Sequence, residues 1–277
     1  MSAPSVILIK LGGSLITDKA GHEAVRSGVL ARLAAELRQV AEAFPGGLVL
    51  GHGSGSFGHA VATDGGWSAK GSSPSSEVLA RTQDAAARLH REVITQLLEA
   101  GLAPFSLAPG SLMVSSRGRL SSLHVEPLVE AIESGLLPVL FGDVVLDSED
   151  RARIFSTENV FLSIAPVLLA RGFKVSAAYW LGNTEGVLDP SGATIARITK
   201  ANAKEVARSL SEAASLGEAE GPSHVSDVTG GMRHRVETAV ALSRLGVPSW
   251  ILNGRSKGLL VRAVGGEEVP GTYVDLT

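Results

Sequence analysis

The chain of 277 residues contains no cysteine, which excludes disulfides and zinc–thiolate centres and fits a reducing compartment, the cytoplasm. Aromatic residues are scarce at 4%, so the core has to come from Ala, Val, Leu and Ile, and a hydrophobic content of 44% supplies it. A positive charge excess is missing as well. Lys and Arg number 25 against 28 Asp and Glu, a net charge of −3, so no general electrostatic grip on nucleic acid is expected. No apolar run is long enough to cross a bilayer; residues 162–170 are broken by Ser163 and Pro166. The N-terminus lacks the basic and apolar regions of a signal peptide. No G-x-x-x-x-G-K-[ST] is present, so a P-loop is excluded. The expectation is a soluble protein of one large domain or two tightly joined lobes.

Glycine, by contrast, is plentiful, with 32 residues. Four of them fall in the run Gly51-His52-Gly53-Ser54-Gly55-Ser56-Phe57-Gly58-His59, which follows the apolar strand end Leu48-Val49-Leu50. Such a turn lets backbone N–H groups approach a ligand closely and forms a concavity suited to phosphate. His59 adds a donor that titrates near neutral pH. Residues 6–11 read as another buried strand, carrying Lys10 near its end and emptying into Gly12-Gly13-Ser14. A lysine inside an apolar strand is costly unless it meets an anion or projects into a site at the strand end. With Lys19, nine positions on, it supplies two ammonium groups beside a glycine turn, suited to neutralising transferring phosphate oxygens.

Apolar residues at 29, 30, 33, 34, 37, 40, 41 and 44 keep a helical period that Pro45-Gly46-Gly47 stops. Further helices are predicted over 77–100, 127–134, 160–170, 202–210 and 232–245, and strands at 105–107, 137–141, 174–179 and 248–252. A hairpin is predicted over 144–155. Residues 63–76 read as a polar lid or pocket entry, and residues 211–226 as a flexible connection. Alternating strands and helices define an α/β fold with a largely parallel sheet. Gly53, Gly55 and Gly58 also satisfy G-x-G-x-x-G. A dinucleotide site would place that motif after the first strand with an acid ending the next, and neither condition holds here. His22, His90, His124, His224 and His234 show no metal-ligand spacing and are expected at the surface or in caps. Trp180 is a candidate to stack on a ring, and Trp67, with the helix over 77–100, to wall the apolar part of a ligand.

Ile9-Lys10-Leu11-Gly12-Gly13-Ser14 with Lys19 resembles the opening of the amino acid kinase superfamily. The run 52–59 is similar to the HGGGSFGH of isopentenyl phosphate kinases, a branch that includes fosfomycin kinase. Phe141-Gly142-Asp143-Val144-Val145, Asp227-Val228-Thr229-Gly230-Gly231-Met232, Asn253-Gly254 and Gly271-Thr272 follow in the family's order. The resemblance spans essentially the whole chain. It implies a three-layer αβα sandwich with a mainly parallel central sheet. Residues 1–172 would bind the phosphorylated acceptor and residues 173–277 ATP, on one continuous sheet.

By the same resemblance His59 would hold the acceptor phosphate. Gly53, Ser54, Gly55, Ser56, Gly142 and Asp143 would complete that subsite. Lys10 and Lys19 would stabilise the γ-phosphoryl group, Glu158 would orient them, and Gly12, Gly13 and Ser14 would line its path. Asn183, Glu185, Gly186, Gly230 and Arg235 would belong to the nucleotide. Mg²⁺ would accompany ATP without a protein ligand that can be named, and a homodimer is implied. A phosphate monoester already carries the attacking oxygen's charge, so positioning and neutralisation would carry the rate. The chain departs from the family at Ser156-Thr157-Glu158-Asn159, where Ser-Gly-Asp-Asp is usual, and at Gly182-Asn183-Thr184-Glu185-Gly186-Val187, where Thr-Asp-Val-Asp-Gly-Val is usual. Arg235 stands where the family has lysine. Three functions follow as expectations: isopentenyl phosphate kinase, kinase of another small phosphate or phosphonate, or a weak homologue that senses nucleotide or prenyl phosphate.

Overall fold

The structure is a computed structural model that describes residues 3–18, 23–44, 46–67, 74–219 and 231–277, with backbone only for His59 and 214–219. Strand β1 (Ser5–Leu11) is followed by a single helical turn α1 (Gly13–Ile16), β2 (Thr17–Asp18), β3 (Ala24–Val25), α2 (Ser27–Ala43) and β4 (Gly47–His52). Next come α3 (Gly55–Asp64), α4 (Ser76–Glu99), β5 (Pro104–Ser106), α5 (Pro109–Leu112), β6 (Met113–Ser116) and β7 (Arg119–Leu123). The middle of the chain supplies α6 (Glu126–Glu133), β8 (Leu137–Phe141), β9 (Asp143–Asp147), β10 (Arg151–Phe155) and α7 (Thr157–Ala170). The last third holds β11 (Lys174–Gly182), β12 (Arg197–Ile198), α8 (Ala203–Ala219), α9 (Gly231–Arg244), β13 (Ser249–Asn253), α10 (Leu259–Val264) and β14 (Thr272–Val274).

Eight strands form the central sheet in the order β12-β14-β13-β11-β1-β4-β8-β5. Every neighbouring pair is parallel except β13 with β14. Odd residues of β1, Ile7, Ile9 and Leu11, face the core formed with α2, α4 and α10. Even residues Val6 and Leu8 face the core formed with α6, α7, α8 and α9. A helical layer thus covers each face, the only way a parallel sheet hides both sides from water. This is the α/β, three-layer architecture expected. No described helix is long and apolar enough to cross a membrane.

Strand order reverses at β1, with β4 on one side and β11 on the other. Registers Leu11↔His52, Leu11↔Leu181, His52↔Phe141 and Gly182↔Asn253 bring five strand ends to one edge. Open α/β sheets bind ligands at such a point.

Several elements differ from expectation. The glycine run is a turn only to Ser54, and Gly55, at φ +53°, opens α3. Residues 211–219 continue α8, since the alanine-rich stretch favours helix over a flexible link; residues 220–226 lie outside the described set. The β6–β7 hairpin was not expected. Its turn uses Arg117 and Gly118, both with positive φ, the geometry that two-residue hairpins need but one that asparagine usually supplies. Trp180 does not offer its ring to a base: it is fully buried, tilted against Phe161 with centroids 5.7 Å apart. His90 is buried rather than at the surface. Trp67 packs with Ala62, Val144 and Ala152.

The first two glycine turns interlock. A Cβ at Gly13 would lie 2.4 Å from Gly55 N, and one at Gly55 would lie 2.2 Å from Thr17 Oγ1. Thr17 Oγ1 donates to Gly13 O at 2.9 Å and accepts from Ser56 N at 3.0 Å. Gly13→Ala is therefore expected to lower stability by about 1–3 kcal/mol through overpacking. Gly28, with nothing within 4 Å of its missing Cβ, serves as the comparison: Gly28→Ala is expected to be neutral or to add up to about 1 kcal/mol. Urea denaturation checks both, and an unshifted Gly13→Ala midpoint contradicts the interlock.

Candidate active site

Lys10 lies opposite Gly51 on β4 and Trp180 on β11, with its side chain on the face that α7 covers. Helix α7 can descend this far because Gly51 has no side chain; a Cβ there would meet Thr157 Cγ2 at 2.4 Å. Thr157 Oγ1 then donates to the His52 carbonyl at 2.6 Å, and Ser156 caps the helix by accepting from Asn159 N. The next residue, Glu158, meets Lys10 in an ion pair whose side chains are 8% and 4% exposed. Arg235, from the first turns of α9, brings Nε to 4.0 Å from Glu158 Oε1.

Glu158 Oε2 and Arg235 Nε are buried without a hydrogen-bond partner. The guanidinium lies over the turns after β1 and β11: a Cβ at Gly182 would be 2.7 Å from Nη1, and one at Gly12 would be 3.8 Å from Nη2. Burial alone would raise the Glu158 pKa. The neighbouring Lys10 and Arg235 charges outweigh it and hold the carboxyl below its usual range. Among the described residues, two cations meet one acid here, an excess of the sign a transferring phosphoryl group needs.

On the β4 side, Gly53 N donates to Leu11 O and Gly142 N to His52 O, tying three strand ends together. A Cβ at Gly142 would begin 3.6 Å from Phe155 O, 3.7 Å from Ser54 N and 3.8 Å from Thr157 N, so the absent side chain leaves a space bordered by two backbone nitrogens and one carbonyl. Ser56 uses its N–H on Thr17, and its buried hydroxyl has no partner. Asp143 accepts from Gly110 N at 2.9 Å and Val144 N at 2.8 Å, while burial pushes its pKa up to about 6. With Ser54, Thr82, Ala86 and Ile154 it lines a cavity of about 10 Å³, room for one water. His59 sits on α3, its side chain outside the description. Lys19 and Gly230 fall outside the described residues.

On the β11 side, Asn183 Nδ2 donates to Ser14 O at 3.0 Å and Ser14 Oγ at 3.2 Å, and Asn183 Oδ1 accepts from Arg255 Nε at 3.0 Å. Glu185 Oε1 accepts from Asn253 Nδ2 at 2.7 Å. Gly186, at φ +130°, passes 2.6 Å from Thr272 Oγ1 at its missing Cβ. That hydroxyl accepts from Val187 N and donates to Ile195 O. Arg255 and His234 belong to this edge too, although spacing did not single them out; His234 Nε2 is 3.0 Å from Ser156 Oγ. Only the Asn253-Gly254 strand end hinted at Arg255, and nothing local marked His234.

This fold and its cationic, glycine-lined edge define a kinase of the amino acid kinase family: the model describing that family matches residues 5–253, and the chain belongs to it. The more specific likeness is to isopentenyl phosphate kinases. The one from Methanothermobacter thermautotrophicus is 32% identical over 283 residues, covering 97% of this chain and 98% of its own. That of Haloferax volcanii is 32% identical over 270 residues, covering 98% of both. A solved isopentenyl phosphate kinase superposes with a TM-score of 0.76 at 26% identity, covering 97% of this chain and 99% of the other. Kinases of this family use ATP.

Two outcomes follow. Glu158→Gln leaves a buried ammonium beside a neutral amide and is expected to cost about 3–5 kcal/mol. Because the folded-state pKa is lowered, the pair's contribution is full above the unfolded glutamate value and is lost as pH falls below it. The gap between wild type and variant therefore narrows in acid, which denaturation at pH 7 and pH 4 measures. Asp143 has the opposite sign. Its raised pKa makes the ionised folded form unfavourable, so Asp143→Asn gains on wild type by up to about 3 kcal/mol as pH rises from 4 through 6. A flat difference over that range contradicts the assignment.

Proposed function

We propose that this kinase transfers the γ-phosphoryl group of ATP to a small phosphate monoester, isopentenyl phosphate, giving the diphosphate. The carrying observation is the buried Lys10–Glu158–Arg235 cluster at the strand-order reversal, with backbone donors bordering a space on one side and the β11 turn on the other. An acceptor phosphate oxygen attacks the γ-phosphorus; a P–O bond forms as the bond to the β-phosphate bridging oxygen breaks, and ADP leaves. The acceptor is already anionic, so no general base is required.

Lys10 and Arg235, with Lys19, neutralise the group in transfer, and Gly12 and Gly13 let it pass close to the backbone. Ser54 N–H, Gly55 and His59 hold the acceptor, so residues 1–172 serve the acceptor. Residues 173–277 serve ATP through the turn at Asn183, Glu185 and Gly186, with Gly230. Among the described residues there is no group of three or more His, Asp or Glu side chains that could hold a metal; Mg²⁺ would enter with ATP and supply further charge neutralisation. The working state is a homodimer.

The glutamate at 158 and the arginine at 235 read as one compensating change. A longer acid reaches Lys10 from α7, and a planar fork replaces a point charge on α9. A second reading is a kinase of another small phosphate or a phosphonate such as fosfomycin.

Coupled ADP release with isopentenyl phosphate, dimethylallyl phosphate and fosfomycin separates the readings. Turnover of the first at a kcat/KM at least tenfold above the others is the expected result. Fosfomycin alone would select the second reading, and turnover of none, with ATP still bound, would leave a sensor. Lys10→Met is expected to lower kcat by about 10²–10³-fold. Glu158→Asp and Arg235→Lys, which touch one another's environment, are expected to be non-additive when combined.

A further inference from the structure

Beneath the glycine turn lies a chain of side chains that the proposed reaction does not use. His52 Nδ1 is 3.1 Å from Gly53 O, His52 Nε2 is 3.0 Å from His90 Nδ1, and His90 Nε2 is 2.7 Å from Ser106 Oγ. Both imidazoles are buried and stack with Phe141, the His90–Phe141 centroids 4.3 Å apart. Burial lowers both pKa values, His52 to about 4 and His90 to about 2, so both rings are neutral at pH 7.

Neutrality leaves one consistent set of protons. A carbonyl only accepts, so His52 Nδ1 carries a proton and its Nε2 is a lone pair. His90 must then donate from Nδ1, which leaves its Nε2 to accept from the Ser106 hydroxyl. All three links point the same way, from the edge strand β5, where Ser106 is exposed, to the Gly53 carbonyl. In a trans peptide C=O and the following N–H point in opposite directions. Pinning Gly53 O on His52 therefore aims Ser54 N–H away from the ring. That nitrogen borders the space over Gly142, together with Thr157 N and the Phe155 carbonyl.

We infer that His90 and Ser106 are positioning residues, whose one-way hydrogen-bond relay holds His52 as the Nδ1–H tautomer and thereby aims Ser54 N–H at the acceptor phosphate. The inference rests on the acceptor phosphate lying in the glycine turn, as proposed above. His52 is part of the glycine motif, whereas His90 lies in the middle of α4 and carries no motif signal of its own.

The test uses the full chain. Long-range ¹H–¹⁵N correlation of the wild-type His52 ring is expected to show a protonated Nδ1 and a pyridine-type Nε2. His90→Phe keeps the ring stack but removes both links. It is expected to raise the acceptor KM about tenfold with the ATP KM unchanged within twofold. His90→Gln, whose amide can donate to His52 and accept from Ser106, is expected to stay within threefold of wild type. Ser106→Ala is expected to raise the acceptor KM about threefold.

Titration with inorganic phosphate, read on the Ser54 amide shift, gives the same ordering without turnover. If wild type phosphorylates no acceptor, the kinase reading fails while this titration and the tautomer still decide the relay. A His52 protonated at Nε2 overturns the inference. So does a folded His90→Phe variant with unchanged phosphate affinity and acceptor KM. Should His90→Phe not fold, Ser106→Ala decides: phosphate affinity equal to wild type overturns the relay.

Discussion

A charged ammonium held away from water, inside an otherwise apolar parallel strand, is the constraint around which the molecule is arranged. Lys10 cannot sit among Val6, Leu8 and the core of α7 and α9 without an anion in reach. The chain meets that demand with Glu158 on the first turn of α7, and the carboxylate in turn draws in Arg235 from α9. Such a cluster contributes little to stability, because desolvation of three charges offsets most of their attraction. What it provides is position: three helix and strand ends are registered to one another at the point where strand order reverses.

The second constraint is steric. Gly51 admits α7, Gly13 and Gly55 admit each other's backbone, Gly12 admits the Leu181 carbonyl, and Gly182 leaves room for the Arg235 guanidinium. Each glycine removes a side chain where two pieces of main chain or one buried cation must pass. The N–H groups of Gly12, Gly53, Gly142 and Gly254 tie the strand ends to one another, and Thr17 and Thr272 fasten the turns. Phosphate chemistry gains from this stiffness, since oriented donors need not reorganise when charge shifts.

Strong, local signals made most of the fold legible from the residues. The period of residues 29–44, the apolar stretch 137–141 and the hairpin at 144–155 appear where they were read, as α2, β8 and β9–β10. Lys10 and its glycine turn were legible because a lysine in an apolar strand has few structural explanations. Other features were settled by tertiary contacts that one-dimensional patterning does not carry. Trp180 looked available near a turn, yet it is buried by Phe161, a residue nineteen positions earlier on α7. His90 occupies a helix position that reads as ordinary amphipathic spacing; only the stacking on Phe141 and the meeting with His52 reveal its surroundings. The β6–β7 hairpin escaped because its turn places arginine at a positive φ where a sequence pattern would look for asparagine.

The central place of β1 has a consequence for how the chain is made. Its partner β4 emerges early, but β11, its other neighbour, is translated only after some 120 intervening residues. At ribosomal speeds that is an interval on the order of ten seconds. During it the nascent β1 presents an open apolar border to any strand nearby. For most of that interval Glu158 has not been made, and a charge on an open strand border discourages intermolecular pairing. The ammonium that anchors the finished molecule is thus also a charge of the kind that disfavours strand-to-strand association while that border is open.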